Sequence, residues 1–350
     1  TSTSSRAMIG GMIGNNSCGL HSIVWGDTRT HLLEAKVLLS DGSEAEFKSL
    51  DRQSFYEKAR LTTLEGHIYR EVHRALNNPF IQESIEKAFP NKNLTRRNTG
   101  YALDMLSDNE IFQPQSAIPF NFCRLLAGSE GTLAFVTEAK INLLPLPPTE
   151  SALVCIHCNS IGESLHANLV ALKHQPMASE LVDKYILDFT KGHHEYHKNR
   201  FFIEGDPQAI LMVEFMADTQ EQLSKMCDAM IKDLKEANLG YAHPIIRGAD
   251  TKPAWDVRKA GLGLIRNLPG DTQPVNLIED CAVAPEHLPA YIEELHALLE
   301  KHGLKYSDVQ TVFLPPADAR AAFERGSVDA WAIWDPFLAA ADPGRGKWAA

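Results

Sequence analysis

The sequence predicts an α+β chain of two domains built on antiparallel strands. Three observations carry this expectation. The 350 residues are about twice a common domain length and enough to bury a sizeable core. Short apolar runs alternate with stretches of helical spacing, so no single period runs throughout. Pro145, Pro147 and Pro148 form a rigid break that divides the chain near residue 150. The proportions, 44% hydrophobic and 23% charged, exclude a disordered or fibrous chain.

In the first 50 residues Gly-rich turns alternate with apolar runs at 8–13 and 23–25. Residues 33–39 read as a strand closed by Ser40-Asp41-Gly42-Ser43, with 44–47 returning as its hairpin partner. From 62 to 89 the spacing is helical, with Leu64, Ile68, Val72 and Ala75 on one stripe and Ile81, Ile85 and Ala88 on the next. Residues 125–146 revert to strands around a Gly-rich turn, so 1–149 reads as a strand-rich unit. Beyond the prolines come a strand at 152–158, helices at 162–173 and 180–190, a strand at 209–216 and an amphipathic helix at 219–238. That order predicts antiparallel strands with helices on one face. A last helix at 285–302 carries Leu288, Ile292, Leu295 and Leu299 and stops at Gly303. Residues 308–334 differ in composition, being rich in Ala, Trp and Asp-Ala pairs.

Lys+Arg 34 against Asp+Glu 45 leaves a net charge of −11 without a basic run, which argues against a nucleic-acid partner and for small molecules or proteins. Six cysteines are too sparse for a disulfide scaffold and fit a reducing compartment. No run of about 18 apolar residues occurs, and Thr1-Ser2-Thr3-Ser4-Ser5 does not resemble a signal peptide. The expected location is cytoplasmic, extending to a peripheral place on the inner membrane. Without an initiator Met, the chain reads as beginning inside a gene product.

Two glycine-rich constellations stand out. In Gly10-Gly11-Met12-Ile13-Gly14-Asn15-Asn16-Ser17-Cys18-Gly19 the glycines free the backbone to approach a ligand, and successive N–H groups can form an anion-binding concavity. Gly128-Ser129-Glu130-Gly131-Thr132-Leu133 repeats the pattern before the strand run 134–137. Each alone reads equally as a plain loop. Cys155 and Cys158 fall on opposite faces of a strand, a core arrangement that is not a metal pair. His193, His194 and His197 lack the spacing of a helical zinc motif and read as a solvated loop, so no metal is expected. Glu180 with Asp183, and Glu279 with Asp280, suit helix caps or ion pairs.

Together with Trp25-Gly26, Thr28-Arg29, Leu39-Ser40-Asp41-Gly42 and Asn98-Thr99-Gly100-Tyr101, the two loops resemble the flavin-binding half of FAD-linked oxidases related to vanillyl-alcohol oxidase. Within that family the resemblance is to the D-lactate and D-2-hydroxyglutarate dehydrogenase branch, in particular its large bacterial members with an iron–sulfur domain, and it covers about residues 1–306. It implies part of an FAD-binding domain at 1–149 and an α+β cap domain at 150–306. It implies that Gly10, Gly11, Met12, Ile13, Asn16, Gly19, Gly128, Glu130, Gly131 and Val136 lie against FAD, so the two loops should be near one another. It also implies that Arg258, in Trp255-Asp256-Val257-Arg258-Lys259, grips a substrate carboxylate, a task a planar guanidinium performs with two parallel bonds. Lys259 could share that role. The implied reaction is oxidation of a D-2-hydroxy acid, with electrons leaving to an iron–sulfur partner or quinone pool.

The family pattern is not kept throughout. The family's Arg-Gly-Gly-Gly-Thr type loop lies upstream of Thr1, and no histidine follows His302, so the family's catalytic base has no counterpart and the catalytic residue is unassigned. These departures imply weak FAD retention and an inactive fragment, with iron–sulfur ligation confined to regions that relatives carry further on. Residues 307–350 form a foreign tail: Leu314-Pro315-Pro316 through Trp334-Asp335-Pro336-Phe337 is similar to an internal piece of ABC-transporter sulfonate-binding proteins. The join is expected between Leu298 and Ser307, with a strand at 309–313, a helix at 317–325 and poor order beyond Asp342. A sulfonate-type solute-binding protein is therefore the alternative function.

Overall fold

The computed structural model describes residues 6–92, 94, 97, 100–266 and 282–301. Spatial contacts divide the chain into residues 1–261 with 282–289, and residues 262–281 with 290–350. The first unit holds both sheets, and the fold is α+β with antiparallel pairing throughout. Of the second unit, the described part is the end of one helix and most of another.

The first unit begins with three short helices, α1 (Ile9–Asn15), α2 (Ser22–Trp25) and α3 (Thr28–His31). Strand β1 (Leu32–Leu38) then pairs with β2 (Glu44–Phe47) through the Asp41-Gly42 turn. Gly42 takes φ +81°, and Asp41 Oδ1 accepts the Ser43 N–H at 2.9 Å. Alternation puts Ala35 and Val37 inward, and the register shift between Leu32 and Glu34 lets Leu32 join the same core. The helical stretch is two helices, α5 (Leu64–Leu76) and α6 (Pro79–Ala88), which follow α4 (Arg52–Ala59). The break falls at Asn77-Asn78, where the Asn78 side chain caps α6 and Pro79 occupies its first turn. Phe55, Tyr69, Phe120 and Phe122 fill the space between these helices and the sheet, with Phe55–Phe120 and Phe120–Phe122 ring centroids 4.8 and 4.7 Å apart. Helices α7 (Leu103–Ser107) and α8 (Cys123–Leu126) lead to β3 (Phe135–Ile141), which closes the order β2-β1-β3.

The region 1–149 is thus helix-rich, correcting the expectation of a strand-rich unit. Its apolar residues cluster within single turns, as at Ile9, Met12 and Ile13, and the run 125–146 supplies one strand because Leu125 and Leu126 complete α8.

The second sheet has the order β5-β6-β4-β7. Strand β4 (Glu150–Cys158) is followed by α9 (Ile161–Lys173), β5 (Ala178–Asp183), α10 (Lys184–Lys191), β6 (Ala209–Ala217), α11 (Gln220–Glu236), β7 (Ile245–Arg247) and α12 (Thr251–Arg266). Helix α13 (Leu288–Lys301) follows a 3-10 turn at Pro285–His287. Val154, Ile156, Leu211, Val213 and Phe215 pack under α9 and α11 against Leu223, Cys227 and Met230. Leu153, Cys155, Ile210 and Met212 face the other way and meet Leu187 of α10 with Trp255 and Val257 of α12. Helices therefore cover both faces, correcting the one-face expectation, and this is why β4 and β6 are apolar at both parities. Cys155 and Cys158 belong to opposite faces, and burial pushes the Cys158 thiol up to about 12.

The helix expected from Glu180 begins only at Lys184. Residues 178–183 instead pair with β6, burying Ala178 and Val182 on one face, and Asp183 ends the strand by accepting the Ile186 N–H at 3.0 Å as the cap of α10. Asn98, Thr99, Glu279, Asp280, the Leu298–Ser307 join beyond Lys301, and the expectations for 309–313, 317–325 and beyond Asp342 lie outside the described residues.

Candidate active site

The two glycine-rich loops lie side by side. Gly128 donates its N–H to Ile13 O and Glu130 donates to Gly14 O, both at 2.9 Å. Residue 16 turns the first loop at φ +50° and residue 130 turns the second at φ +50°, conformations that asparagine tolerates better than glutamate. Gly10 and Gly11 are exposed and Gly19 is half-buried, while Met12 is half-buried and Ile13 fills the core. Glu130 and Gly131 are exposed, and Val136 sits in β3 opposite Val37.

A buried polar network lies beneath this junction. Asn16 Nδ2 donates to Asp27 Oδ2 at 2.7 Å, and Asn16 Oδ1 accepts the Arg29 N–H at 2.8 Å. Asp27 also caps α3 by accepting from Thr30 N and Oγ1. The Arg29 guanidinium passes under the second loop, where Nη2 donates to Ala127 O at 2.8 Å. Desolvation holds the Arg29 pKa below its ordinary value, opposed by the charge of Asp27, and Nε has no acceptor among the described residues. Gly128 takes φ +86°, and a Cβ there would stand 2.7 Å from Arg29 Nη2, so the turn admits only glycine above the arginine. Nothing lies within 4 Å of a Cβ built on Gly10, Gly11 or Gly131, so the backbone on this side is open to a ligand. Arg29 also lines a cavity of about 410 Å³ with Arg97, Asp104, Asn121 and Arg124. Arg97 and Asp104 form an ion pair there. An unpartnered buried guanidinium N–H, open glycine backbone and a cationic wall fit an anionic group such as a dinucleotide pyrophosphate.

Arg258 projects from α12 onto the second sheet. Its Nε and Nη2 both reach Glu180 Oε2, at 3.2 and 3.0 Å. The Arg258 side chain keeps 38% of its exposure, so a substrate carboxylate could compete for it. Lys259 is exposed. Ion pairing for Glu180 and capping for Asp183 are the roles their residue types suited.

A histidine and a glutamate not singled out from the sequence complete the arrangement. Ala178 pairs with Glu214 and Glu180 with Met212, so the two glutamates share the face that α12 covers. Glu214 is only 6% exposed; its Oε1 accepts the Trp255 indole N–H at 3.3 Å, and its Oε2 lies 2.6 Å from His21 Nε2. His21 stands two residues beyond Gly19, so this contact ties the first glycine loop to the sheet face that α12 covers. A charge within an apolar strand was the available signal for Glu214; nothing local marks His21. No group of three or more His, Cys, Asp or Glu is placed to hold a metal ion among the described residues.

Residues 147–312 match the family described as FAD linked oxidases, C-terminal domain. The chain is similar to D-2-hydroxyglutarate dehydrogenase of Pseudomonas putida, 32% identical over 87% of this chain and 30% of that protein. It is also similar to D-2-hydroxyglutarate dehydrogenase of Escherichia coli K12, 30% identical over the same shares. A 43-residue segment, 12% of the chain, is 63% identical to part of an Escherichia coli K12 protein named for aliphatic sulfonate binding and covers 14% of it. The chain spans about 30% of the length of the D-2-hydroxyglutarate dehydrogenases it matches. Among the described residues no helix is long and apolar enough to cross a membrane.

Proposed function

We propose that this chain, which carries the C-terminal domain of FAD linked oxidases at residues 147–312, serves an FAD-dependent oxidation of D-2-hydroxy acids of the 2-hydroxyglutarate class. The observation that carries the reading is the direct joining of the two glycine loops over Arg29, next to a sheet on which Arg258 of α12 is only half engaged. Gly10, Gly11, Met12, Ile13, Asn16, Gly19, Gly128, Glu130, Gly131 and Val136 supply the cofactor side. When bound, FAD supplies hydride acceptance. The open glycine backbone and Arg29 hold its anionic part, while the Asn16–Asp27–Arg29 network keeps the two loops at fixed spacing. Arg258 exchanges Glu180 for the substrate carboxylate, gaining a bidentate partner of the same charge. The electrons then pass to an acceptor such as an iron–sulfur domain or the quinone pool.

The test is FAD titration of the purified chain by flavin fluorescence, followed by anaerobic addition of D-2-hydroxyglutarate or D-lactate. In place of the weak FAD retention and inactive fragment that the departures from the family pattern imply, the joined loops and Arg258 lead us to expect flavin quenching on binding and bleaching of the flavin band by the hydroxy acid. Arg258→Ala should weaken the hydroxy-acid interaction by about 10–150-fold, the equivalent of a charged hydrogen bond worth about 1.5–3 kcal/mol. Bound flavin that no D-2-hydroxy acid reduces would overturn the reading.

A further inference from the structure

Oxidising a hydroxy acid requires an acceptor for the hydroxyl proton. His21 has surroundings suited to that work. Its Nε2 lies 2.6 Å from Glu214 Oε2, and the other oxygen of that carboxylate accepts from Trp255. Trp255 donates to Oε1, and an ionised Glu214 only accepts, so against that carboxylate His21 presents Nε2–H to Oε2. In the neutral ring this leaves Nδ1 with a free lone pair, and Nδ1 has no partner among the described residues. The side chain keeps 25% of its exposure, while Trp25 packs edge-on with ring centroids 4.8 Å apart and holds the ring plane.

The placement of Glu214 strengthens the case. It is the single charge of β6, nearly buried in an otherwise apolar strand, and such a carboxylate is retained only where its hydrogen bonds compensate desolvation. Those bonds orient His21. Glu180 and Arg258 share this face, and Arg258 lies one helical turn from Trp255 on α12. Glu214 and Glu180 therefore tie His21 and Arg258 to neighbouring places on one sheet face.

We infer that His21 accepts the hydroxyl proton of the substrate at Nδ1, with Glu214 as the positioning residue that sets its tautomer and Arg258 holding the carboxylate. The inference rests on the hydroxy-acid oxidation put forward above. The substrate C2–H bond breaks and gives its hydrogen with both electrons to the flavin, the O–H proton passes to His21 Nδ1, and C2–O becomes a carbonyl. Glu214 stays ionised and stabilises the imidazolium that forms.

His21→Gln separates this role from a structural one, because the glutamine amide can still donate to Glu214 but has no basic nitrogen. Anaerobic rapid mixing of the FAD-loaded chain with D-2-hydroxyglutarate across pH 5–9 should show flavin reduction slowed about 10²–10⁴-fold, with substrate affinity and melting temperature near those of the parent chain. The slowing should hold at every pH of that range. A variant with the parent rate overturns the inference and leaves the hydroxy-acid reading standing. A parent chain whose bound flavin is not reduced overturns both. If His21→Gln does not fold, 15N imidazole spectra of the parent chain decide: an Nε2–H ring whose Nδ1 shift moves on adding D-2-hydroxyglutarate supports the inference, and an Nδ1–H ring overturns it.

Discussion

Replacing Gly128 by alanine tests whether Arg29 locks the two glycine loops together. At φ +86° the backbone alone costs a non-glycine residue about 1–2 kcal/mol. The new Cβ would meet Arg29 Nη2 at 2.7 Å, and this guanidinium cannot swing freely because it is buried and donates to Ala127 O. Clearing the methyl group breaks a charge-assisted hydrogen bond worth about 1.5–3 kcal/mol, so the variant loses about 2.5–5 kcal/mol in all. Gly131→Ala is the control. Its φ is +77° but nothing lies within 4 Å of its Cβ, so it carries the backbone cost alone, about 1–2 kcal/mol. Equilibrium urea unfolding followed by tryptophan fluorescence measures both. A gap between the two variants below about 0.5 kcal/mol, the scatter of an ordinary surface change, would refute the fixed position of Arg29.

Three further outcomes are expected. His157 is wholly buried, donates from Nδ1 to Cys155 O at 2.9 Å and accepts the Glu204 N–H at Nε2, and burial pushes its pKa below the ordinary histidine value. Because the folded pKa is depressed, its contribution is complete above the unfolded value of about 6.5 and is lost as pH falls through the folded pKa, at up to about 1.4 kcal/mol per pH unit. His157→Gln should flatten the pH 5–7.5 dependence of the urea midpoint, and an unchanged slope would place the acid sensitivity elsewhere. Asp183→Ala removes the cap of α10 and should cost about 1 kcal/mol by the same assay, a loss indistinguishable from zero counting against the cap. Gly66→Ala should lower the melting temperature although alanine favours helix, because its Cβ would stand 2.1 Å from the Leu61 carbonyl oxygen and overpacking costs about 1–3 kcal/mol; a higher melting temperature would contradict that contact.

What was legible in the sequence is what local chemistry decides. The Asp41-Gly42 turn, the stripes of α5 and α6, and the opposed faces of Cys155 and Cys158 follow from turn residues and periodicity, and the meeting of the two loops followed from a shared resemblance. What escaped depends on partners distant in the chain. The strand at Glu180 is stabilised by pairing with β6, a contact with no signature within six residues. The cover on the second face was signalled, since Leu153 and Cys155 are as apolar as Val154 and Ile156, but only if both parities are read together. Nothing local to Arg29 shows that its guanidinium donates to Ala127 O, and His21 meets Glu214 across 193 positions.

Strand β6, residues Ala209–Ala217, has a life before the sheet exists. Nine residues that are apolar except at one position, with no proline, are the composition that adheres to copies of itself in partly folded chains. Glu214 interrupts that run, so during synthesis and refolding the exposed segment carries a hydrated charge that opposes stacking against its twin. Among the described strands β6 lies between β5 and β4, and the edges fall to β5 and to β7, which is three residues long. A glutamate that later anchors an imidazole therefore also guards an adhesive stretch of the chain while it waits for its neighbours. Exchanging it for an apolar residue would lower the yield of refolding at micromolar concentration even where the final sheet could accommodate the change.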